Sequence, residues 1–292
     1  MSALNYSLND LIRNNKEGSY STHANRALRL NQSINRLQEL GYKPSNIRNL
    51  QGKHVRALVA DWQKQKLSAG TIKNRVSDLR WLSRKIGNPR IVERDNSAYN
   101  IDRRQYVNNN INTAKELDNA KLQRITDEYT KYSLKLQAEF GLRREEAIKI
   151  QPDIADRGSH LHLQGSWCKG GRPRDVPVLT QSQRDLLNEI QRFCAENDCK
   201  SLIPKESTYK QQLKTYEYQT DRAEIHKNHG LRHAYAQQRY LDLTGRECPK
   251  NGGLTSRQLS PEDRKIDYES RLQISEELGH SREAITAVYL GR

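Results

Sequence analysis

The sequence predicts a mainly α-helical chain with one small antiparallel β-hairpin, divided into a basic helical first part and a longer α+β second part. Three observations carry that expectation. Apolar residues recur three or four positions apart through most of the chain. One stretch, His160-Leu161-His162-Leu163, alternates instead, and a returning strand follows in Val176-Pro177-Val178. Positive charge is concentrated at the front: residues 1–110 hold 20 Lys and Arg against 8 Asp and Glu, and the remaining residues hold 30 against 27.

The first part opens its helical pattern at residues 22–40, where Ala27, Leu30, Ile34, Leu37 and Leu40 share a face and Gly41 ends the run. Residues 53–65 repeat it with Val55, Leu58, Val59 and Trp62. A third helix, capped by Thr71, carries Ile72, Val76, Leu79, Leu82 and Ile86 until Gly87-Asn88-Pro89 stops it. Each stripe needs a neighbour to bury against, so residues 1–91 form a helical bundle. Residues 92–112 lose periodicity and remain basic, through Arg94, Arg103 and Arg104, and read as a linker. Residues 113–292 form the second domain.

At 292 residues and 34% hydrophobic content there is room for two domains and a sizeable core. No apolar run approaches the roughly 18 residues of a membrane helix. Met1-Ser2-Ala3-Leu4-Asn5-Tyr6 lacks the blocks of a signal peptide, so a cytoplasmic protein, nucleoid-associated when on DNA, is expected. Cys168, Cys194, Cys199 and Cys248 read as reduced. His226-x-x-His229-x-x-x-His233 has metal-like spacing but no completing cysteine or acidic cluster, so no metal is expected. A net +12 over the first 110 residues points to a polyanion clamp. Lys73, Arg75, Arg80 and Arg84 on the third helix, with Arg172 and Arg174 at the hairpin tip, are candidate contacts to a DNA backbone.

In the second part, residues 116–126 and 127–141 read as helices, the latter burying Tyr132, Leu136 and Phe140. Gly141-Leu142-Arg143 opens another, whose first-turn arginine can share the anion site of the helix start, with Glu146 placed to orient it. Lys169-Gly170-Gly171-Arg172-Pro173-Arg174 is the turn of the hairpin, where a mobile lysine can reach a phosphate. Helices follow at 181–196 and about 207–223, and His229-Gly230-Leu231-Arg232 opens the next, with His229 and Arg232 on one face. Leu278-Gly279-His280 comes late, with Tyr289 nine residues beyond the histidine.

These motifs, Gly141-Leu142-Arg143-x-x-Glu146, the Lys169 hairpin, His229-x-Leu231-Arg232-His233 and Leu278-Gly279-His280 with Tyr289, occur in an order and spacing that resemble the tyrosine recombinases of the phage-integrase family across the whole chain. The resemblance implies a helical core-binding domain before an α+β catalytic domain. It implies a site-specific recombinase, of the mobile-element integrase kind, that cleaves and rejoins DNA through a 3′-phosphotyrosyl intermediate and a Holliday junction. It also implies a homotetramer on double-stranded DNA, with accessory DNA-bending proteins as further partners and no cofactor. Tyr289 would be the nucleophile, a phenol whose reference pKa is about 10 and which needs nearby cations. Arg143 and Arg232 would hold the non-bridging oxygens, Lys169 would protonate the leaving 5′-oxygen, His229 would be base or orienter, and His280 a donor to the phosphate.

Two departures from the family pattern bear on function. Arg232 and His280 are 48 positions apart, longer than compact members carry, and the surplus at 244–267 reads as a polar loop insertion that touches DNA or a neighbouring subunit. The sequence also stops three residues after Tyr289, so the tail helix that couples protomers in many relatives is not expected to do so here. Type IB topoisomerase-like relaxation, resolvase activity and a non-catalytic DNA-binding accessory role are the competing readings.

Overall fold

The structure, a computed structural model, describes residues 2–107 and 111–292. Asn108, Asn109 and Asn110, which fall in the stretch read as a linker, lie outside the described residues. The chain divides into two compact units, residues 1–105 and 106–292. No helix among the described residues is long and apolar enough to cross a membrane.

The first unit is helical. Helix α1 (Ala3–Arg13) was not legible as an element, yet it buries Leu4, Leu8, Leu11 and Ile12 behind an N-cap from Ser2. Helices α2 (Tyr20–Glu39), α3 (Gly52–Lys64) and α4 (Ala69–Lys85) follow, and the predicted stripes of Leu30, Ile34, Leu37, Val55, Leu58, Trp62, Val76, Leu79 and Leu82 meet in one core. Ser68, not Thr71, caps α4; its hydroxyl accepts the Thr71 amide at 3.2 Å. Ion pairs fix the packing: Arg36 holds Asp61 with two bonds of 2.8 and 2.6 Å, and Arg29 reaches Asp78 at 2.5 Å.

Part of the stretch read as a linker belongs to this unit. Val92, Tyr99 and Ile101 are buried in its core, and Arg80 donates to the Glu93 carbonyl and the Asn96 side chain, both at 2.8 Å. Aperiodic polar sequence concealed this fold because irregular backbone is held by single anchors rather than by a repeating stripe.

The second unit is α+β. Residues 116–126 contain only one helical turn, α5 (Asn119–Leu122), which Asp118 caps. Next come α6 (Glu128–Phe140), α7 (Arg144–Lys149) and α8 (Pro152–Ala155). Strands β1 (His160–Leu163) and β2 (Arg174–Pro177) pair antiparallel, with Leu161 opposite Val176 and Leu163 opposite Arg174. Leu161, Leu163 and Val176 face inward, while His162 and Asp175 pair on the outer face at 2.7 Å. Helices α9 (Gln181–Glu196), α10 (Tyr209–Arg222), α11 (His229–Thr244), α12 (Pro261–Glu277) and α13 (Ala287–Leu290) complete the order. Leu136, Phe140, Leu187, Ile190, Tyr235, Tyr240, Ile274 and Leu278 build the core around the hairpin. All four cysteines are buried and unpaired.

The stretch 244–267 is not a free loop. Residues 261–267 are already the first turns of α12, a 3₁₀ turn forms at Pro249–Asn251, and Cys248 and Leu259 are buried. Its composition is polar, but Asp267 is buried, accepting bonds from Tyr240 at 2.6 Å, Arg271 at 2.8 Å and Ser256 at 3.1 Å. Polar residues satisfied by one another pack as well as an apolar stripe and leave no periodic trace.

Candidate active site

Arg143 is the N-cap residue of α7, just after the chain leaves α6 through Gly141 in the left-handed region at φ +60°. A Cβ on Gly141 would fall 2.5 Å from the Tyr235 ring, so glycine is required both for its dihedral and for its close approach. The expected anion site at the start of α7 is filled by the chain itself. Glu146, fully buried, accepts from the Arg143 amide at 2.7 Å and from its guanidinium at 2.8 Å. The other terminal nitrogen of Arg143, Nη2, donates to the Leu278 carbonyl at 3.1 Å.

Arg232, on the first turn of α11 and 1% exposed, donates to the Gly141 carbonyl at 2.6 Å and also to the Leu278 carbonyl. The two arginines thus converge on one carbonyl at the C-terminus of α12. Gly279 follows it at φ +69°, turning the chain so that His280 points back over the same spot. Tyr289 on α13 is 4% exposed, and its hydroxyl lies 3.3 Å from Arg232 Nε and 3.2 Å from His280 Nε2. His229 stands at the first position of α11, its ring 6.1 Å from that of Tyr289, centre to centre, and makes no hydrogen bond to the hydroxyl.

The electrostatics are those of an incomplete ion cluster. Arg143 and Arg174 share one carboxylate, Glu146, and Arg232, which feels the charge of both, has no carboxylate of its own. Burial alone would raise the Glu146 pKa, but Arg174 and then Arg143 hold it down to about 2. Desolvation draws Arg232 down to about 10, with Arg143 and Arg174 adding to the effect and Tyr289 opposing it. Desolvation followed by Arg232, Arg143 and Arg174 holds His280 near 4, so its imidazole is neutral at neutral pH. His229 is lowered by desolvation, Arg232 and Arg143. Donors that point at one place with too few anions to balance them form a site for an anion.

Of the sequence-derived candidates, Arg143, Arg232, His280 and Tyr289 are drawn together, and His229 stands beside them. Lys169 is not in contact with them. It lies exposed in the turn between β1 and β2, directly after buried Cys168, whose Sγ is 3.3 Å from Arg174.

Arg174 is a correction. Expected on the DNA-facing tip, it is buried, donating to Glu146 at 2.8 and 2.6 Å and to the Glu277 carbonyl at 2.8 Å. Strand alternation is the reason: inward-facing Val176 puts residue 174 on the same face. Arg80 is likewise occupied, by the Glu93 carbonyl and the Asn96 side chain, and Arg75 lies over the Trp62 ring at 5.1 Å. Lys73 is half-buried, and Arg84 and Arg172 are exposed.

Sequence reading noted His233 at the end of the motif His229-x-Leu231-Arg232-His233 and within a metal-like pattern, and gave it no role. That pattern comes apart in three dimensions: His226 is exposed near Asp221, and His233 is buried with its ring 4.7 Å from that of Tyr289. Desolvation, with His229, Lys250 and Arg232 following, lowers His233 to about 4. Its place one turn after His229 was the available signal. Gln237, one turn further, donates to the Tyr289 carbonyl at 2.9 Å and was not singled out.

Comparison with known proteins gives a consistent family pattern. Residues 1–92 match a family described as phage integrase, N-terminal, and residues 105–238 one described as integrase. No curated protein matches the chain. Among solved structures it is similar to a lambda integrase dimer bound to a COC′ core site, at 14% identity and TM-score 0.60, covering 97% of this chain and 76% of that one. It is also similar to the XerH site-specific recombinase bound to difH substrate in a pre-cleavage complex, at 16% and 0.56, covering 98% and 80%. A third likeness is to the Tn1549 transposon integrase in complex with transposon right end DNA, at 15% and 0.51, covering 100% and 95%. At these identities the structural likeness is one of fold.

Proposed function

The chain belongs to the phage-integrase family of tyrosine recombinases, enzymes of DNA strand exchange, and from that premise we propose how its own residues act. The observation that carries the reading is the Tyr289 hydroxyl, held 3.3 Å from Arg232 Nε and 3.2 Å from His280 Nε2 inside a cluster with too few anions to balance its cations. A scissile phosphate supplies the missing negative charge. Arg143 and Arg232 take its non-bridging oxygens, with bidentate geometry available to guanidinium and not to ammonium. Neutral His280 donates to the same phosphate.

The Tyr289 oxygen then attacks phosphorus. The P–O5′ bond breaks, the phenolic proton passes to His229, the exposed imidazole beside the Tyr289 ring, and Lys169 moves in from the exposed turn to protonate the leaving 5′-oxygen. The product is a 3′-phosphotyrosyl linkage, which keeps the bond energy for attack by another strand's 5′-hydroxyl. Arg143 and Arg232, already held in place by the chain, activate the bound phosphate.

The substrate is double-stranded DNA and the working assembly a homotetramer that passes through a Holliday junction. A similar structure is a lambda integrase tetramer bound to a Holliday junction, at 12% identity and TM-score 0.57. The first unit, residues 1–105, is the core-binding domain and the second, residues 106–292, the catalytic domain, and exposed cations such as Arg84 and Arg172 lie along the DNA backbone.

The test is incubation with a library of nicked duplexes of randomised sequence, followed by trapping of covalent protein–DNA adducts under denaturing conditions. An adduct formed by the wild type and absent with Tyr289→Phe is expected. Binding with no adduct defeats the reading, and relaxation of supercoiled plasmid without joining of two sites would favour a topoisomerase-like enzyme.

A further inference from the structure

Helix α13, which carries Tyr289, is a single turn from Ala287 to Leu290. A helix this short does not hold itself in water, and its last carbonyls have no partners within it. Three side chains from elsewhere in the same unit cap this segment. Lys250 Nζ donates to the Val288 carbonyl at 2.8 Å, Gln237 Nε2 to the Tyr289 carbonyl at 2.9 Å, and Arg271 to the Gly291 carbonyl at 2.9 Å.

Each donor is itself held. Arg271 is fully buried and oriented by Asp267 at 2.8 Å, which Tyr240 and Ser256 fix in turn. Gln237 is tied to Asn112, whose amide reaches Asn251 at 2.6 Å. Asn251 is the neighbour of Lys250 in the 3₁₀ turn Pro249–Asn251. The turn therefore reaches the tyrosine segment from two directions, although it belongs to the stretch that departs most from the family pattern.

We propose that Lys250, with Arg271 and Gln237, is a positioning residue for the nucleophile: the 244–258 segment clamps the backbone of α13 so that the Tyr289 hydroxyl stays in register with Arg232 and His280. This inference rests on Tyr289 being the nucleophile. A phenol whose two polar contacts are 3.2 and 3.3 Å long has little room to move before both are lost. A displacement of about 1 Å at a reacting atom is enough to slow chemistry by roughly a hundredfold.

Arg271 is too deeply buried for a clean substitution, so the test is placed on Lys250, which is partly exposed. Lys250→Met keeps the aliphatic stem and removes the donor; Lys250→Arg restores one. The full-length proteins are compared by single-turnover adduct formation on nicked duplexes selected with the wild type, by DNA Kd and by Tm. Lys250→Met is expected to lose roughly tenfold to a hundredfold in cleavage rate, with Kd and Tm unchanged, and Lys250→Arg to recover most of it. Wild-type cleavage by Lys250→Met, or a loss that Lys250→Arg does not recover, overturns the assignment.

Amide hydrogen exchange in the free proteins gives a readout independent of activity. Leu290 and Gly291 should exchange faster in Lys250→Met, and unchanged exchange overturns the clamp. If the wild type itself forms no adduct, the strand-transfer reading fails and the exchange result alone decides whether the clamp exists.

Discussion

Arg232 reaches the phenol oxygen of Tyr289 at 3.3 Å while its other donors end on the main-chain carbonyls of Gly141 and Leu278, so this buried guanidinium has no carboxylate partner. Nearby Glu146 is already shared between Arg143 and Arg174. Burying an unpaired cation is costly, and such an arrangement persists where a ligand supplies the counter-charge. A phosphate does so, and it arrives beside the Tyr289 phenol that the guanidinium already contacts. Tyr289→Phe should therefore abolish the covalent adduct and leave DNA binding intact, with Tm changed little because each lost hydrogen bond contributes only about 1 kcal/mol. Gel analysis of trapped adducts and a thermal melt check both parts.

Arg232→Lys should retain a positive charge and still fail. An ammonium cannot bond the Gly141 carbonyl, the Leu278 carbonyl and a phosphate from one planar fork. A loss of about 10² to 10³ in the single-turnover cleavage rate is expected, comparable to removal of one donor from a preorganised oxyanion site. A rate within a few fold of wild type would show that only charge matters at this position.

Glu146 should be the acid-labile point of the site. Its folded pKa of about 2 lies below the ordinary 4.5, so the stabilisation is fully present above pH 4.5 and is lost as pH falls through the interval to 2. Glu146→Gln should cost about 3 kcal/mol near neutral pH and should flatten the dependence of Tm on pH between 4.5 and 2. Melting curves of both proteins across that range test it.

His280 should titrate far below an ordinary histidine in the free protein. With a pKa of about 4 it stays neutral where an unfolded histidine, at 6.5, takes up a proton, so it lowers stability progressively as pH drops below 6.5. Phosphate brought by DNA offsets the neighbouring arginines and should raise that pKa. Histidine resonances followed by NMR from pH 8 to 5 are expected to show a flat His280 signal without DNA and a titrating one with it. A midpoint near 6.5 in the free protein would contradict the electrostatic description.

The basic helices separate into two kinds of cation, and salt should distinguish them. Arg84 is exposed, and its replacement by Ala in the full chain should reduce the log–log salt slope of DNA binding by about 0.9 if it neutralises one phosphate. Arg80 holds the Glu93 carbonyl and the Asn96 side chain, so Arg80→Ala should lower Tm instead and leave the slope unchanged. Binding isotherms at several salt concentrations, with melts alongside, measure the two effects.

Much of this protein was determined by the sequence alone, because some signals are local. Helical spacing marked α2, α3, α4, α9 and α10, strand alternation marked the hairpin, and fixed motifs marked Arg143, Arg232, His280 and Tyr289. Other features depend on which distant residues a side chain meets, and these only tertiary structure decided. Arg174 looked like a surface cation until the hairpin register turned it inward onto Glu146. The polar stretch 244–267 looked like a loop until Asp267 and Lys250 found partners in the core and in α13. Periodicity reports burial of apolar stripes, whereas a buried polar network is specified pair by pair across the fold. The tyrosine was visible from its motif; what holds its hydroxyl in place was not.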